Sequence, residues 1–469
     1  MPARKTQEKS TSGSKTTNSV RKKLTKVKQG RWFWLWLAFS GVAMLSATAG
    51  AMLAVSLSST PLLQSKLTAA EEAIFSKGGS ISRSSMRLPE LTRPVNILIL
   101  GCKVIASDLP ELKGKQPDYE KVNSFDGPTD TMLLLRFDPE AEKLKVLSIP
   151  RDTQTFIEGQ GISKINSANA LGGPALSAKV TSELLEGVGI DRYIRVNVQG
   201  VQSLVDALGG VTVYVPQDMK YQDDSQHLYI NLKKGKQHLD GDKALQFLRF
   251  RYDKFGDIGR VQRQQILMRA LMEQALNPAT LARLPKILSL IQSHLDTNLS
   301  VEELVALVGF GAQTNRSKVQ MLMVPGQFNG TGQREISYWL PDHRRIQQMV
   351  GQHFDQGSSD RTNIDPASLR VAIQDSTGKP EAVQSLVSTL KQAGYQNILV
   401  DDNWREPLRV TRLVAQQGDD STAKDLRKSL GFGEVRVDST GNLDSDVTIQ
   451  LGDDWLQKKS SDSKGFFGF

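Results

Sequence analysis

The sequence predicts an α/β fold, on three observations: short continuous apolar runs bounded by turn residues, a strand-helix-strand alternation through the middle of the chain, and a smaller repeat of that alternation after residue 365. A chain of 469 residues is too long for one ordinary domain, so about two to three folded units with linkers are expected.

Val95 to Leu100 is an apolar run closed by Gly101, the pattern of a strand covered on both faces. Met132 to Phe137 and Leu144 to Ile149 repeat it. Asp138-Pro139-Glu140 between them supplies turn chemistry, so the two are read as a hairpin. Helical spacing appears at Ala175 to Leu185, and Tyr193 to Val198, Val201 to Leu208 and Val211 to Val215 read as strand, helix, strand. Longer helices are expected at Asp257 to Leu276, Thr280 to His294 and Val301 to Gln313, before a strand at Val319 to Val324. Gln356 to Asp365, with Gly, two Ser and several charges, reads as a linker. Beyond it, Leu369 to Gln374, Pro380 to Ala393, Asn397 to Asp401, Arg409 to Val414, Ser421 to Leu430 and Val447 to Leu451 outline a small second α/β domain.

The net charge of +9 is local. Residues 1–31 hold ten Lys and Arg against the single acid Glu8, a surplus of nine that accounts for the whole imbalance, so the body is neutral. A body that grips nucleic acid carries its cations on itself, so no nucleic-acid partner is expected. Trp32 to Leu57 is a run of 26 residues without Asp, Glu, Lys or Arg, and about 20 apolar residues cross a bilayer. Trp32, Trp34 and Trp36 suit the headgroup level, and the basic cluster before them stays cytoplasmic by the positive-inside rule. The expected protein is therefore a single-pass protein of the cytoplasmic membrane, its body extracytoplasmic. The competing reading is a cleaved signal peptide, because Ala47-Thr48-Ala49 resembles a cleavage site, although the run exceeds the usual ~7–15-residue signal core. The expected organisation is a basic tail at 1–31, a membrane helix at 32–57 and a stalk at 58–94. A main domain at 95–355 (core 95–313), a linker at 356–365, a second domain at 366–455 and a tail at 456–469 follow. One cysteine, Cys102, and five scattered histidines leave no disulfide and no zinc-ligand spacing.

Four segments place charge at the ends of apolar elements, where open α/β sheets bind ligands. In Ser148-Ile149-Pro150-Arg151-Asp152-Thr153, Arg151 stands just past a buried strand, stiffened by Pro150. Lys164-Ile165-Asn166-Ser167-Ala168, followed by Gly172-Gly173-Pro174, is a loop able to aim backbone N–H groups and a lysine at an anion. In Arg249-Phe250-Arg251 an extended backbone puts both guanidiniums on one side. In Asp257 to Gln265, Asp257, Arg260 and Gln264 share a helix face, while Arg263 and Gln265 interrupt the apolar stripe. Each segment alone reads as solvated surface charge. Together they concentrate cations at a cost that a multiply charged anion such as pyrophosphate offsets.

With these motifs, Asn96-Ile97-Leu98-Ile99-Leu100-Gly101, Thr129-Asp130-Thr131-Met132 and Asn231-Leu232-Lys233-Lys234-Gly235, taken in order, the stretch Val95 to Gln313 resembles LytR-CpsA-Psr proteins. Leu369 to Trp455, ending Leu451-Gly452-Asp453-Asp454-Trp455, is similar to the LytR C-terminal domain. The resemblance implies an α/β/α sandwich with a mixed central sheet and a hydrophobic pocket for a polyprenyl tail. It implies an arginine cluster at the pocket mouth, here Arg151, Arg249, Arg251 and Arg260, with Lys164, Gln264 and Arg263 completing the pyrophosphate cradle. Asp130 would bind Mg²⁺ or orient an arginine, and Asp257 would act as general base or orient Arg260. The implied reaction moves a glycopolymer from a polyprenyl pyrophosphate carrier to a peptidoglycan hydroxyl at the membrane.

Two departures from the family pattern stand out. Cys102-Lys103 replaces the usual Asp after the first strand's Gly, and Pro128 replaces an Arg before Thr-Asp-Thr. Lys103 supplying charge directly to the phosphate, with Mg²⁺ held more weakly, is one expectation. Asp108 or Asp126 as a replacement carboxylate is the other. A pyrophosphatase using water, a noncatalytic envelope protein and a regulator remain alternative readings of the same pattern.

Overall fold

A computed structural model describes residues 65–75, 79–83, 89–102, 125–224, 228–250, 256–275, 277, 280, 283–315, 318–329, 337–355, 365–401, 404, 406–416, 418–438, 440–442 and 445–458. The expected membrane run 32–57, most of the linker and the tail after residue 458 lie outside them. Among the described residues no helix is long and apolar enough to cross a membrane.

The elements that build the main domain are β1 (Val95–Cys102), β2 (Thr129–Asp138), β3 (Lys143–Ile149), β4 (Gln154–Ile157), β5 (Gly161–Lys164), α1 (Ser167–Leu184), β6 (Arg192–Val196), α2 (Val198–Ala207), α3 (Gly241–Arg249), α4 (Gly256–Ala275), β7 (Leu295–Thr297), α5 (Val301–Gln313), β8 (Val319–Met323) and α6 (His343–His353). Six strands form one mixed sheet in the order β7-β6-β1-β2-β3-β8. β1, β2 and β3 are antiparallel neighbours, while β6 runs parallel to β1 and β8 parallel to β3. The β2–β3 hairpin expected from its turn residues is present.

Strand alternation divides the core in two. Leu98, Leu100, Met132, Leu134 and Leu147 face α1 and α6, packing on Ala175, Ala178, Ile346 and Val350. Ile97, Leu133, Val146 and Met321 face the other way, toward Met268 and Met272 of α4 and Leu304 and Leu307 of α5. The result is a sheet between two helical layers, as the resemblance implied. Ser300 and Glu303 close a capping box that starts α5 at Val301, the predicted residue. Within the expected Thr280 to His294, Thr280 is helical and a helix runs over Leu284–Ile291 with Pro285 in its first turn, tightening to a 3₁₀ turn at Gln292–His294.

The segment read as a free stalk is partly structural. Phe75 is buried, bridges to Ile190 and lies with its ring 5.2 Å from that of Tyr193. Ser65 donates through its backbone N–H to Asp296 at 2.8 Å, and Asp296 is itself buried against Arg195, at 2.6 Å. An apolar ring that fills a gap under the sheet edge gains more by burial than a solvated stalk would.

The second domain comprises β9 (Arg370–Asp375), α7 (Pro380–Gln392), β10 (Asn397–Val400), β11 (Arg412–Ala415), α8 (Asp420–Leu430), β12 (Glu434–Val437) and β13 (Val447–Leu451). Its sheet runs β10-β9-β13-β11-β12, with β13 antiparallel to β11. This domain sits against the main one. The His353 ring, almost wholly buried, shares a 2.7 Å hydrogen bond with the Gly418 carbonyl oxygen, and Arg345 Nη1 lies 2.7 Å from Asp446 Oδ1.

Burial, helped by nearby Lys145 and Lys143, holds the His353 pKa below its ordinary 6.5, against the Gly418 hydrogen bond and Asp420. Below pH 6.5 the unfolded chain therefore binds a proton that the folded one refuses. Stability should be flat for this group above that pH and fall beneath it until the folded ring also titrates, by at most about 1.4 kcal/mol per pH unit. Urea unfolding at pH 7.5 and pH 5.5 should show a smaller acid loss in His353→Gln than in the unaltered chain. Equal losses would place the acid sensitivity elsewhere.

Candidate active site

Three sequence-distant segments meet where β1 and β3 end and β2, running the opposite way, begins. Thr129 pairs with Cys102 and Met132 with Ile149, so Asp130 and Arg151 emerge at the same rim. The segment after β5 is tied in by its backbone. Ile165 N–H donates to Thr153 O at 2.9 Å, Asn166 N–H to Arg151 O at 3.2 Å, and Thr129 N–H to Asn166 O at 3.2 Å. At this rim a Cβ on Gly101 would come within 3.1 Å of the Thr131 Cβ, tighter than most Cβ contacts.

Arg151 is the hub. Its Nη1 donates to Asp130 Oδ1 and its Nε lies 3.3 Å from Asp152 Oδ2. Lys164 Nζ donates to the other Asp152 oxygen at 2.7 Å and stands 5.9 Å from the centroid of the Tyr338 ring. Asp152 is buried, whereas the side chains of Arg151, Asp130 and Lys164 keep 21%, 28% and 31% of their exposure. The carboxylates thus hold both cations from the protein side and leave part of each open to an incoming anion.

Helix α4 crosses this rim. Gln264 Nε2 donates to the Asp130 carbonyl oxygen at 3.0 Å. Arg263, one residue earlier and buried, donates to the Phe250 carbonyl oxygen and lies over the Phe250 ring at 5.7 Å. One helix therefore joins the Thr-Asp-Thr segment to the Arg-Phe-Arg segment, with Arg263 spent on that joint. Arg249 ends α3 and is half-buried, and Phe250 after it is extended, so the expected three-residue extended stretch begins as a helix terminus. Asp257 and Arg260 lie on α4, Arg260 one turn before Gln264, but their side chains are not among those described; Arg251 and Lys103 lie outside the described residues altogether.

The Gly-Gly-Pro stretch does not form the expected anion loop. It lies inside α1 at a kink where Gly173 takes φ +60°, and a Cβ on Gly172 would strike Leu176 at 2.7 Å. Cys102, the first residue of the Cys102-Lys103 departure, is buried, and burial pushes its thiol up to about 12, so it carries no charge near neutral pH. Asn169 Nδ2 reaches its sulfur at 3.6 Å.

Among the described residues no three His, Cys, Asp or Glu side chains gather as a metal cage. Asp130, already sharing one oxygen with Arg151, suits a cation that takes one or two carboxylates and completes its shell with phosphate oxygens and water, as Mg²⁺ does.

On the α4–α5 side of the same sheet the apolar layer is not fully covered. Ile99, Leu135 and Ile194 sit on three adjacent interior strands, yet each remains partly accessible, as do the facing Met268, Met272, Leu304 and Phe310. An interior strand covered tightly by helices would have no accessible apolar residues. On this face the sheet and the α4–α5 layer therefore share an apolar seam that stays partly accessible.

Residues 61–355 match the model of the LytR_cpsA_psr family, and residues 368–455 match one described as LytR cell envelope-related transcriptional attenuator. The chain is 28% identical over 305 residues to the polyisoprenyl-teichoic acid–peptidoglycan teichoic acid transferase TagV of Bacillus subtilis, covering 62% of this chain and 73% of that one. It is 33% identical over 252 residues to the TagU transferase of the same description from Oceanobacillus iheyensis, covering 52% and 70%. The crystal structure of B. subtilis TagV aligns with a TM-score of 0.46 at 27% identity, over 57% of this chain and 99% of that one.

Proposed function

The chain belongs to the LytR_cpsA_psr family, and on that footing we propose that it is a phosphotransferase that moves a glycopolymer from a polyprenyl pyrophosphate carrier to a peptidoglycan hydroxyl. The observation that carries this reading is the Arg151–Lys164 pair, held by buried Asp152 at the end of a sheet whose α4–α5 face keeps partly accessible apolar side chains, which we read as a gap for a hydrocarbon tail. A substrate that is anionic at one end and a long hydrocarbon at the other matches that juxtaposition. Its relatives named as transferases of polyisoprenyl-linked teichoic acid to peptidoglycan support the same chemistry.

In this reading the pyrophosphate lies against the exposed parts of Arg151 and Lys164, with Arg249, Arg251, Arg260 and Lys103 adding charge around it. The wall-sugar hydroxyl oxygen attacks the phosphorus that bears the glycan, the bond from that phosphorus to the bridging oxygen breaks, and polyprenyl phosphate leaves with the electron pair. Asp257 takes the hydroxyl proton. Gln264 fixes the start of β2 and so the place of Asp130. Mg²⁺, held by Asp130, would supply further neutralisation of the two phosphates. The run 32–57 serves as a single-pass membrane anchor with the basic tail cytoplasmic and the body outside, facing the carrier and the wall.

Incubating the purified chain with a polyprenyl-pyrophosphate oligosaccharide, with and without peptidoglycan and Mg²⁺, tests the proposal. Carrier release that depends on the acceptor is expected. Equal release into water would make the protein a pyrophosphatase, and binding without release would make it noncatalytic.

A further inference from the structure

The second domain touches the site helix as well as its own neighbours. Gln262 Nε2 donates to the Gly441 carbonyl oxygen at 3.0 Å, and Arg269 pairs with Asp438, whose side chain is 6% exposed. Residues 262 and 269 are two turns apart on one line of α4, so Asp438 and Gly441, which follow β12, contact two points along that helix. Gln264 and Met268, which reach the rim and the apolar gap, lie between those two points.

The remaining contacts fall on the opposite layer of the main domain. His353 and Arg345 belong to α6, which packs on the other face of the sheet from α4. Between the two layers, Gly418 passes so close to the edge strand β8 that a Cβ would come within 2.9 Å of the Leu322 Cδ2, and Val437 packs against both hydrophobic cores. The second domain therefore covers the β8 edge and grips one helix from each face.

We propose that the second domain is a brace that sets the distance of α4 from the sheet, with Asp438, Arg269 and Gln262 as positioning residues for the transfer reaction. The proposal rests on the functional reading above, since α4 bounds the gap assigned to the polyprenyl tail and carries the Gln264 contact at the phosphate rim. A rigid clamp at two points would hold both features in register. Releasing one point lets the helix move away from Met268 and Met272's partners on the sheet.

The test uses the full chain with Asp438→Ala, Asp438→Asn, Arg269→Ala and the exchanged pair Arg269→Asp with Asp438→Arg. Amide hydrogen exchange should speed up along 256–275 in the single variants while β1, β2 and β3 keep their protection, and the exchanged pair should restore slow exchange. With a long-tailed carrier the single variants should raise KM by about 10-fold with a smaller change in kcat, again recovered by the exchanged pair. Unchanged exchange along α4 in both Asp438 variants, or accelerated exchange that spreads equally to the central strands, would overturn the brace. An unaltered chain without transfer activity would overturn the functional reading instead, and the exchange comparison would still decide the brace.

Discussion

Arg151→Ala should lower kcat/KM for glycopolymer transfer by about one to two decades, the loss expected when a charge-assisted phosphate contact worth about 1.5–3 kcal/mol is removed. The guanidinium serves two carboxylates and keeps 21% of its side chain exposed at the rim. A lysine at this position cannot divide its donors in that planar way, so Arg151→Lys should recover little of the loss. Thermal unfolding should move by only a few degrees, because Asp152 keeps Lys164 as a partner. A wild-type rate in Arg151→Ala would remove this residue from the reaction. Arg260→Ala, one turn before Gln264, should fall by a similar factor.

Affinity should climb steeply with the length of the carrier's tail. Each methylene buried contributes about 0.8 kcal/mol, so a five-carbon unit seated against Ile99, Leu135, Ile194 and Met272 is worth at least about one decade in binding. Measured over a series of carriers of increasing length, KM should fall until the tail outgrows the gap and then level off. A flat series would mean that recognition stops at the pyrophosphate and that the gap plays no part.

How much of this was legible in the residues depended on the physical signal each element leaves. Strands covered on both faces, such as β1 and β2, write an uninterrupted apolar run, and the start of α5 is written in its Ser300–Glu303 box. The β4–β5 hairpin was not read because its outward side chains include Phe156 and Ile162, both more than 60% exposed, which obscure any inside-outside alternation. Helix α6 was not read either: it offers few apolar positions and buries a histidine.

The site followed the same division. Arg151 and Lys164 could be named from their places at strand ends, Gln264 from its helix face and Asp130 from the family motif, and the structure joins these four in one network. The role of Asp152 as the shared anchor was not visible, since a carboxylate beside an arginine reads as an ordinary surface pair. Arg263 looked like one more phosphate cation, whereas its buried guanidinium is engaged with Phe250. The apolar pocket was implied only by the family resemblance, because Ile99 and Leu98 are indistinguishable in the residues alone. The docking of the second domain rests on pairs such as Arg269 and Asp438, 169 residues apart, which no local pattern encodes.

The most direct measurement follows the phosphorus. A carrier labelled at the phosphate attached to the glycan, given to the membrane-reconstituted chain together with peptidoglycan, should deposit that label covalently in the wall polymer while unlabelled polyprenyl phosphate appears in equal amount. Label recovered as a free glycan phosphate, or retained on the lipid, would contradict transfer to the wall.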